Sequence, residues 1–339
     1  MRYTIYDLAK LANCSVSTVS KALNNKDDVG EKTRQKILKI AKEVNYVPSA
    51  SARATAQNKS YLIGVLLFDD FNLGITHPLF GPVIQSFSSY VAQMGYDVVL
   101  MRNLASEGSA GFVDYINYRN LDGVFVPVYD HLDKLNKIID TKVPLVGMDM
   151  DSSFNLPIVV SDNNAGIEIA LEYLFKLGHT KIANIAANIK NNYIARLREN
   201  LFKEKMAELN LKIPKHFLLK SRSFGFDDAY FVTKTMLLEN KGNLPTAIFA
   251  NADIMALGAM KAIKELGYQI PYDISVIGFD DIEMSAISTP KLTTVSQNKV
   301  DLGICAARVL LDQIGGQSVA KRNYVDVKLI KRESVAKIS

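Results

Sequence analysis

The sequence predicts an α/β protein with an N-terminal helix-turn-helix head and a two-lobed body with parallel sheets. Charge is unevenly placed: residues 1–60 hold 11 Lys and Arg against 5 Asp and Glu, whereas the rest holds 29 against 30. A basic head on a nearly neutral body favours contact of the head with a polyanion. Beyond residue 60, apolar runs alternate with amphipathic segments, which indicates parallel strands joined by right-handed crossovers.

The head begins with two short helices separated by a tight turn. The apolar spacing of TIYDLAKLA (4–12) predicts the first helix, with Thr4 as its cap and Asp7 three residues further on. Asn13 can enter a left-handed turn at low cost, and Ser15 can cap a second short helix. Helix, tight turn and short helix form the helix-turn-helix pattern.

The second helix, 16–23, has an apolar side and an outer face of small hydroxyls with Lys21. A helix that lies deep in the major groove, about 12 Å wide, needs such a small outer face. Hydroxyls donate to phosphates or base edges, and Lys21 can reach a guanine or a phosphate. The alternative is a plain three-helix cluster, because a tight turn also requires small residues.

A third helix is predicted over 31–44. Its apolar residues are expected to be buried and its basic residues to face solvent. The two sets are Ile37, Leu38, Ile40, Ala41 and Val44, and Lys32, Arg34, Lys36, Lys39 and Lys42.

Nine apolar runs in the body are predicted as buried strands. They are 61–68, 96–101, 123–128, 144–149, 157–162, 181–187, 216–220, 246–250 and 274–280. The helices predicted between them include 82–95, 195–209, 226–240 and 253–266. A solute is expected in the cleft between two such lobes, beyond the carboxyl ends of the strands.

TIYDLAKLANCSVSTVSKALNN (4–25), followed by YVPSASARA (46–54), resembles the head of the lactose/galactose-repressor (LacI/GalR) family of bacterial transcription regulators. The family usually has glycine where this chain has Asn13. The resemblance implies that operator bases are read from Val16, Ser17 and Lys21, the last of which is commonly arginine. Lysine keeps the charge but loses the bidentate fork.

The resemblance also implies that the segment 49–60 forms a short hinge helix on the operator. The family inserts a leucine from this helix into the minor groove and so kinks the DNA. The matching residue here is Thr55, a poor wedge because it is short, β-branched and polar. The alternative is a flexible linker, and we expect the segment to order only on DNA. The candidate DNA-binding residues are Thr4, Ser15, Val16, Ser17, Thr18, Ser20, Lys21, Asn24, Arg53 and Thr55.

The body is similar to the same family in three further stretches: NADIMALGAMKAIKELG (251–267), PYDISVIGFDDIEMS (271–285) and TPKLTTVSQN (289–298). They imply two lobes like those of sugar-binding periplasmic proteins, with chain crossings near 161, 290 and 323. The implied domains are 1–48 for the helix-turn-helix, 49–60 for the hinge and 61–339 for effector binding and dimerisation. Lobe 1 would take about 61–161 and 291–323, and lobe 2 about 162–290 and 324–339.

The resemblance implies a pocket for a small polar effector, with a sugar or sugar derivative expected and a base or an amino acid as the alternative. The implied residues are His77, Pro78, Phe80, Asp149, Arg198, Phe224, Asp280 and Gln297. Plainer alternatives are Arg198 as a surface charge, Asp280 and Asp281 as caps of the next segment, and Phe224 and Phe80 as core residues. The family often has asparagine where Ala252 stands.

Several function classes are disfavoured by what the sequence lacks. Cys14 and Cys305 show neither disulfide nor metal-ligand spacing, so we expect no metal and no cofactor. The N-terminal MRYTIYDLAK has no apolar signal-peptide core, so we expect a cytoplasmic protein with no membrane span rather than a periplasmic receptor. GxGxxG after a strand, GxxxxGK[ST], HExxH and GxSxG are absent, which disfavours an enzyme. We expect a homodimer that places two heads on double-stranded operator DNA.

Overall fold

A computed structural model describes residues 3–23, 26, 28–46, 59–67, 74–101, 108–128, 132–151, 154–189 and 192–338. The chain divides into two compact units between Tyr61 and Leu62, one residue beyond the predicted start of the body. The predicted hinge lies almost entirely outside the described residues and stays a prediction. Within the described ranges, no helix is long and apolar enough to cross a membrane.

The described part of the head contains helices α1 (Ile5–Ala12), α2 (Val16–Leu23) and α3 (Glu31–Glu43). Thr4 and Asp7 form a complete capping box, because the Asp7 amide donates to Thr4 Oγ1 (3.3 Å) and the Thr4 amide donates to Asp7 Oδ2 (2.9 Å). Asn13 has the left-handed backbone that its position requires (φ 51°). Ser15 Oγ accepts from the Thr18 amide (3.1 Å) and so caps α2. The predicted helix-turn-helix is confirmed.

The centre of the head is apolar, with Leu8, Ala12, Val19 and Ile37 fully buried. The prediction that Leu38 is buried was wrong: it follows the inward-facing Ile37 by 100° around the helix and is exposed. Two of the predicted solvent-facing cations bond within the head. Arg34 Nη2 donates to the Lys26 carbonyl (2.6 Å), and Lys36 Nζ donates to the Ala12 carbonyl at the end of α1 (2.8 Å). Lys36 thereby satisfies a free carbonyl at a helix C-terminus.

The described elements of the body follow each other as strands and helices in near alternation. In chain order they are β1 (Leu62–Leu67), α4 (Phe80–Gln93), β2 (Asp97–Met101), α5 (Gly108–Arg119), β3 (Gly123–Val128), α6 (Leu132–Ile139), β4 (Leu145–Met148), β5 (Ile158–Ser161), α7 (Asn163–Lys176), β6 (Ile182–Ala187), α8 (Tyr193–Glu208), β7 (Leu218–Ser221), α9 (Phe226–Glu239), β8 (Ala247–Ala250), α10 (Asp253–Glu265), β9 (Ser275–Asp280), α11 (Glu283–Ile287), β10 (Thr293–Ser296), α12 (Lys299–Ile314), β11 (Arg322–Val325) and β12 (Lys328–Ile330). Short 3₁₀ helices lie at Gly74–Thr76 and Lys215–Phe217.

The described strands form two six-stranded sheets, in the orders β11-β5-β4-β3-β1-β2 and β12-β10-β9-β8-β6-β7. All neighbours are parallel except β12, which runs antiparallel to β10. Helices cover both faces, so the strands are buried as apolar runs: in the second sheet Ile248 packs in one core and its neighbour Phe249 in the other. All nine predicted strands occur, and the α/β fold with two lobes is confirmed. The prediction that 96–101 is a buried strand was wrong, because β2 lies at the edge of its sheet and only Met101 of this strand is buried.

The chain passes between the lobes at places that differ from two of the predicted ones. Strand β10 pairs with β9 in the second sheet, so the second crossing follows Ser296 rather than residue 290. Strand β11 pairs with β5 in the first sheet, so the third crossing follows Val325 rather than residue 323. The assignment of 291–296 to lobe 1 and of 324–325 to lobe 2 was therefore wrong. TTVS and RNYV are short and contain few apolar residues, so no apolar run marks them as strands.

Helices α4 and α12 of lobe 1 pack closely at Gly303, and we expect Gly303→Ala to lower the unfolding free energy by about 1–3 kcal/mol. The added methyl would overlap Ser86 Oγ and the Val83 carbonyl oxygen and would lie 2.8 Å from the Phe87 nitrogen. Urea unfolding followed by circular dichroism measures the effect. Gly242→Ala is the matched control because its methyl meets nothing within 4 Å. Equal stability of the two variants would contradict the packing account.

Candidate functional site

Helix α2 presents a narrow polar face. Ser17 and Lys21, one helical turn apart, are exposed, whereas Val16, Thr18 and Ser20 are half-buried. A helix with so little bulk on its outer side can lie in a major groove.

Three of the predicted DNA-binding hydroxyls also hold the head together. Ser15 Oγ and Thr18 Oγ1 lie 2.8 Å apart, and Thr4 Oγ1 donates to Asp7 Oδ2 (2.7 Å). Asn24, Arg53 and Thr55 lie outside the described residues, so their roles stay predictions.

Lys21 is paired with Asp28, and both side chains are about half exposed. An exposed ion pair stabilises a protein by only about 0–1 kcal/mol, so a phosphate or a base can displace Asp28 from Lys21.

A buried polar cluster lies at the carboxyl ends of the strands of the second lobe, around Arg198 on α8. Arg198 is only 3% exposed. It donates from Nε to Asn163 Oδ1 (2.7 Å) and from Nη1 to the Asn251 carbonyl (2.7 Å), and Nη1 lies 3.5 Å from Asp280 Oδ1. Its guanidinium carbon stacks 3.9 Å from the centre of the Phe279 ring. The alternative of Arg198 as a surface charge is excluded by this burial.

Gln297 connects this cluster to the first lobe. It follows β10 at the second crossing and is fully buried. Its Nε2 donates to Asp280 Oδ1, and its Oε1 accepts from Ser161 Oγ (2.8 Å) at the end of β5. Residues from two crossings and from both sheets therefore meet at one place.

The charge of Arg198 acts on two carboxyl groups, those of Asp149 and Asp280. Burial raises the pKa of Asp149 to about 6, against the opposing effect of Arg198. Burial also raises the pKa of Asp280 to about 6, with Arg198 and the Gln297 amide opposing and the charge of Asp149 adding to the rise. Asp149 Oδ1 is buried and has no hydrogen-bond partner among the described residues. The cluster thus contains an acceptor that a donor from a ligand could satisfy.

A third carboxyl group, Asp253, lies behind Asp280 at the start of α10. It accepts from the Ile282 amide (3.0 Å), Ser285 Oγ (2.6 Å) and Thr294 Oγ1 (2.5 Å). Burial and the charge of Asp280 raise its pKa to about 7. Asp253 therefore ties α10 to α11 and β10 and fixes the segment that carries Asp280.

The remaining predicted effector residues lie in two other places. His77, Pro78 and Phe80 form a half-buried group at the start of α4, where the His77 and Phe80 rings are 4.4 Å apart and His77 Nδ1 accepts from the Leu79 amide (3.2 Å). Phe224 is half-buried and packs against the core of the second lobe, which agrees with the core alternative.

The capping alternative for Asp280 and Asp281 is not observed. Helix α11 begins at Glu283 without a side-chain cap, Asp280 bonds to Gln297, and Asp281 accepts from Arg332 Nη2 (2.6 Å).

Sequence reasoning missed several members of the cluster. They are Ser161, Asn163, Asn251, Asp253 and Phe279. Their position in the sequence could have revealed the polar members of this set, because each lies at the end of a predicted strand or within three residues of that end.

Comparison with known proteins identifies the family. Residues 4–49 match the sequence model of bacterial regulatory proteins of the lacI family, and residues 171–335 match the periplasmic binding protein-like domain. The chain is 33% identical over 343 residues to the HTH-type transcriptional repressor PurR of Vibrio vulnificus (strain CMCP6), with 99% of both chains covered. This protein belongs to the LacI family. Like its LacI-family relatives it is a DNA-binding transcriptional repressor with an effector-binding body, and not an enzyme.

Two further LacI-family proteins are similar over nearly the whole length. The ribose operon repressor of Halalkalibacterium halodurans (strain ATCC BAA-125 / DSM 18197 / FERM 7344 / JCM 9153 / C-125) is 34% identical over 338 residues, covering 98% of this chain and 96% of that one. The crystal structure of the lac repressor dimer bound to operator and the anti-inducer ONPF has a TM-score of 0.82 and 28% identity, covering 99% of this chain and 100% of that one.

Proposed function

We propose that this LacI-family repressor acts in the cytoplasm as a homodimer whose operator affinity is set by a sugar or sugar derivative bound between its lobes. Two heads would occupy the half-sites of a pseudo-palindrome. Binding of the sugar would change the angle between the lobes and thereby whether both hinges can dock. The sugar can act only through its differential affinity for the two arrangements.

The observation that carries the sugar assignment is the cluster of Arg198, Asp149, Asp280 and Gln297. Carboxyl oxygens accept from hydroxyl groups, and a guanidinium donates to neighbouring hydroxyl oxygens through its planar fork. Asp149 Oδ1, buried and without a partner among the described residues, offers one such acceptor position. The similarity to a ribose operon repressor supports the same ligand class.

The proposal is tested by selecting bound sequences from random DNA with the intact chain, with and without a panel of sugars and sugar phosphates. We expect a pseudo-palindromic sequence whose recovery changes with one member of the panel. Calorimetry gives the ligand class directly. Tight binding of a base or an amino acid, with no binding of any sugar, would overturn the sugar assignment.

Lys21→Ala is expected to weaken binding to the selected operator by about 1–3 kcal/mol if Lys21 contacts a base. The measurement is a titration of labelled operator and of a scrambled duplex at one salt concentration. Lys39→Ala is the matched control, since Lys39 lies on α3 and is exposed beside Glu43. An equal loss for operator and scrambled duplex would assign Lys21 to a phosphate instead.

An apolar groove on the second lobe supports dimerisation. It lies between α9, α10 and α11 and is lined by Phe226, Leu257, Met260, Met284 and Ile287, among others. Met284 is 41% exposed and Ile287 is 78% exposed. Contiguous exposed apolar surface of this kind is typical of protein–protein interfaces.

We therefore expect Ile287→Glu to shift the protein from dimer to monomer at micromolar concentration, because the carboxylate would be buried without a partner in the interface. Gel filtration with light scattering measures the mass. Phe231→Glu is the control, since Phe231 is an exposed apolar residue of α9 that lines a different groove. A dimeric Ile287→Glu protein would place the interface elsewhere.

A further inference from the structure

The turn that carries Asp280 has a strained backbone. Asp280 and Asp281 both have positive φ values, 124° and 56°, in a region that favours glycine. Such conformations persist at non-glycine residues only when the surrounding structure fixes them. The contacts that fix this turn are therefore of functional interest.

One of these contacts comes from the other lobe. Lys299 is the first residue of α12, and its Nζ donates to the carbonyl oxygens of Asp280 (3.2 Å) and Asp281. Lys299 is half-buried. A cation bonded to two backbone carbonyls forms stronger hydrogen bonds than a neutral donor would. Within lobe 2, Arg332 also holds this turn. Its guanidinium donates to the Asp281 carboxylate and to the Leu292 carbonyl (2.8 Å).

Helix α12 is itself firmly attached to the first lobe. The Lys299 carbonyl oxygen accepts from Ser86 Oγ on α4 (3.4 Å), and Gly303, one turn further along, packs directly against the backbone of α4. At the other end of the helix, Gln313 Nε2 donates to the Leu145 carbonyl at the start of β4 (2.9 Å). A shift of the α12 N-terminus would therefore displace the close contact with α4 in lobe 1.

We propose that Lys299 is a positioning residue that transmits effector binding from lobe 2 to lobe 1. It holds the turn so that Asp280 faces Arg198 and Gln297, and it passes a shift of this turn to the first turn of α12 and so to α4. This inference rests on the proposed function, because the shift is produced by an effector at Asp280. The contact of Lys299 with the turn joins the two lobes, and contacts between parts that can move relative to each other can couple distant sites.

The test compares Lys299→Met, which keeps the stem and removes the donors, with Lys299→Arg, which can still donate to both carbonyls. Lys176→Met is the matched control, since Lys176 is exposed on α7 and paired with Glu172. The probe is D-ribose at saturating concentration, and the readout is the ratio of operator affinities with and without it. We expect a ratio of about fivefold or more for wild type, Lys299→Arg and Lys176→Met, and below about twofold for Lys299→Met. A loss of sugar affinity alone would not lower the ratio at saturation.

Hydrogen exchange of the intact, ligand-free chain supplies a second readout that does not depend on the probe. Lys299→Met is expected to speed amide exchange about tenfold both in 279–283 and in 299–303, with Lys299→Arg and Lys176→Met like wild type. Unchanged exchange in either segment, or a wild-type ratio for Lys299→Met at saturation, overturns the inference. If wild type binds neither D-ribose nor any other sugar of the panel, the proposed function fails, and hydrogen exchange alone decides the role of Lys299.

Discussion

Asp253→Ala is expected to lower the free energy of unfolding of the body by about 3–5 kcal/mol at pH 5. The change leaves three donors buried without an acceptor, namely the Ile282 amide and the Ser285 and Thr294 hydroxyls. Each unsatisfied buried donor costs about 1–3 kcal/mol. Urea unfolding followed by circular dichroism measures the loss. Asp227→Ala is the matched control, because Asp227 is exposed in the first turn of α9 and should change stability by less than about 1 kcal/mol.

The same variant should also flatten the dependence of stability on pH. The pKa of Asp253 in the folded protein is raised to about 7 from an ordinary value of 3.8, so the folded state holds this proton more tightly than the unfolded state. The free energy of unfolding of the wild type therefore falls as pH rises from about 4 through 7. Asp253→Ala should therefore lower the free energy of unfolding most at pH 5 and least at pH 8. A cost that grows with pH would contradict a buried, proton-binding carboxyl group at this position.

Arg198→Met is expected to weaken sugar binding by at least about 100-fold, equivalent to roughly 3 kcal/mol. Methionine fills a similar volume but cannot donate, so it leaves Asn163 Oδ1 and the Asn251 carbonyl without their bonds and leaves Asp280 without its cation. Isothermal calorimetry with the sugar chosen from the panel measures the change.

Two further variants separate charge from geometry at this position. Arg198→Lys keeps the charge but cannot donate to three groups in one plane. We therefore expect a loss of sugar affinity smaller than that of Arg198→Met. Arg196 lies two residues away on the exposed side of α8, so Arg196→Met should bind the sugar with wild-type affinity. If Arg198→Met bound the sugar with wild-type affinity, the cluster would not be part of the binding site.

The elements that sequence reasoning located are those with a local physical signal. The capping box of Thr4 and Asp7 and the left-handed Asn13 mark the start and end of α1 through contacts within a few residues. Most of the predicted strands are recognisable because each is a run of apolar residues that a parallel sheet buries on both faces. The edge strand β2 is recognisable from its apolar run as well, although the sheet leaves much of it exposed. Strands β10 and β11 lack this signal. TTVS is buried by the sheet around it, whereas RNYV lies at a sheet edge, where Tyr324 is exposed.

The buried cluster depends on contacts between residues that are distant along the chain. Asn163, Arg198 and Asp280 each look like an ordinary surface polar residue in the sequence, and only the common direction of the parallel strands brings them together. Arg198 was found through a resemblance and Asn163 was not. Lys299 was missed for a further reason: its partners are backbone carbonyls, which no side-chain pattern in the sequence reveals.

The affinity of the intact protein for its selected operator, measured against random duplex competitor at low salt with and without sugar, tests the central claim most directly. We expect a preference for the operator of about 1,000-fold or more, which changes when the sugar is added. Binding of every duplex with equal affinity, whether or not sugar is present, would contradict a repressor whose head reads operator DNA under the control of its two-lobed body.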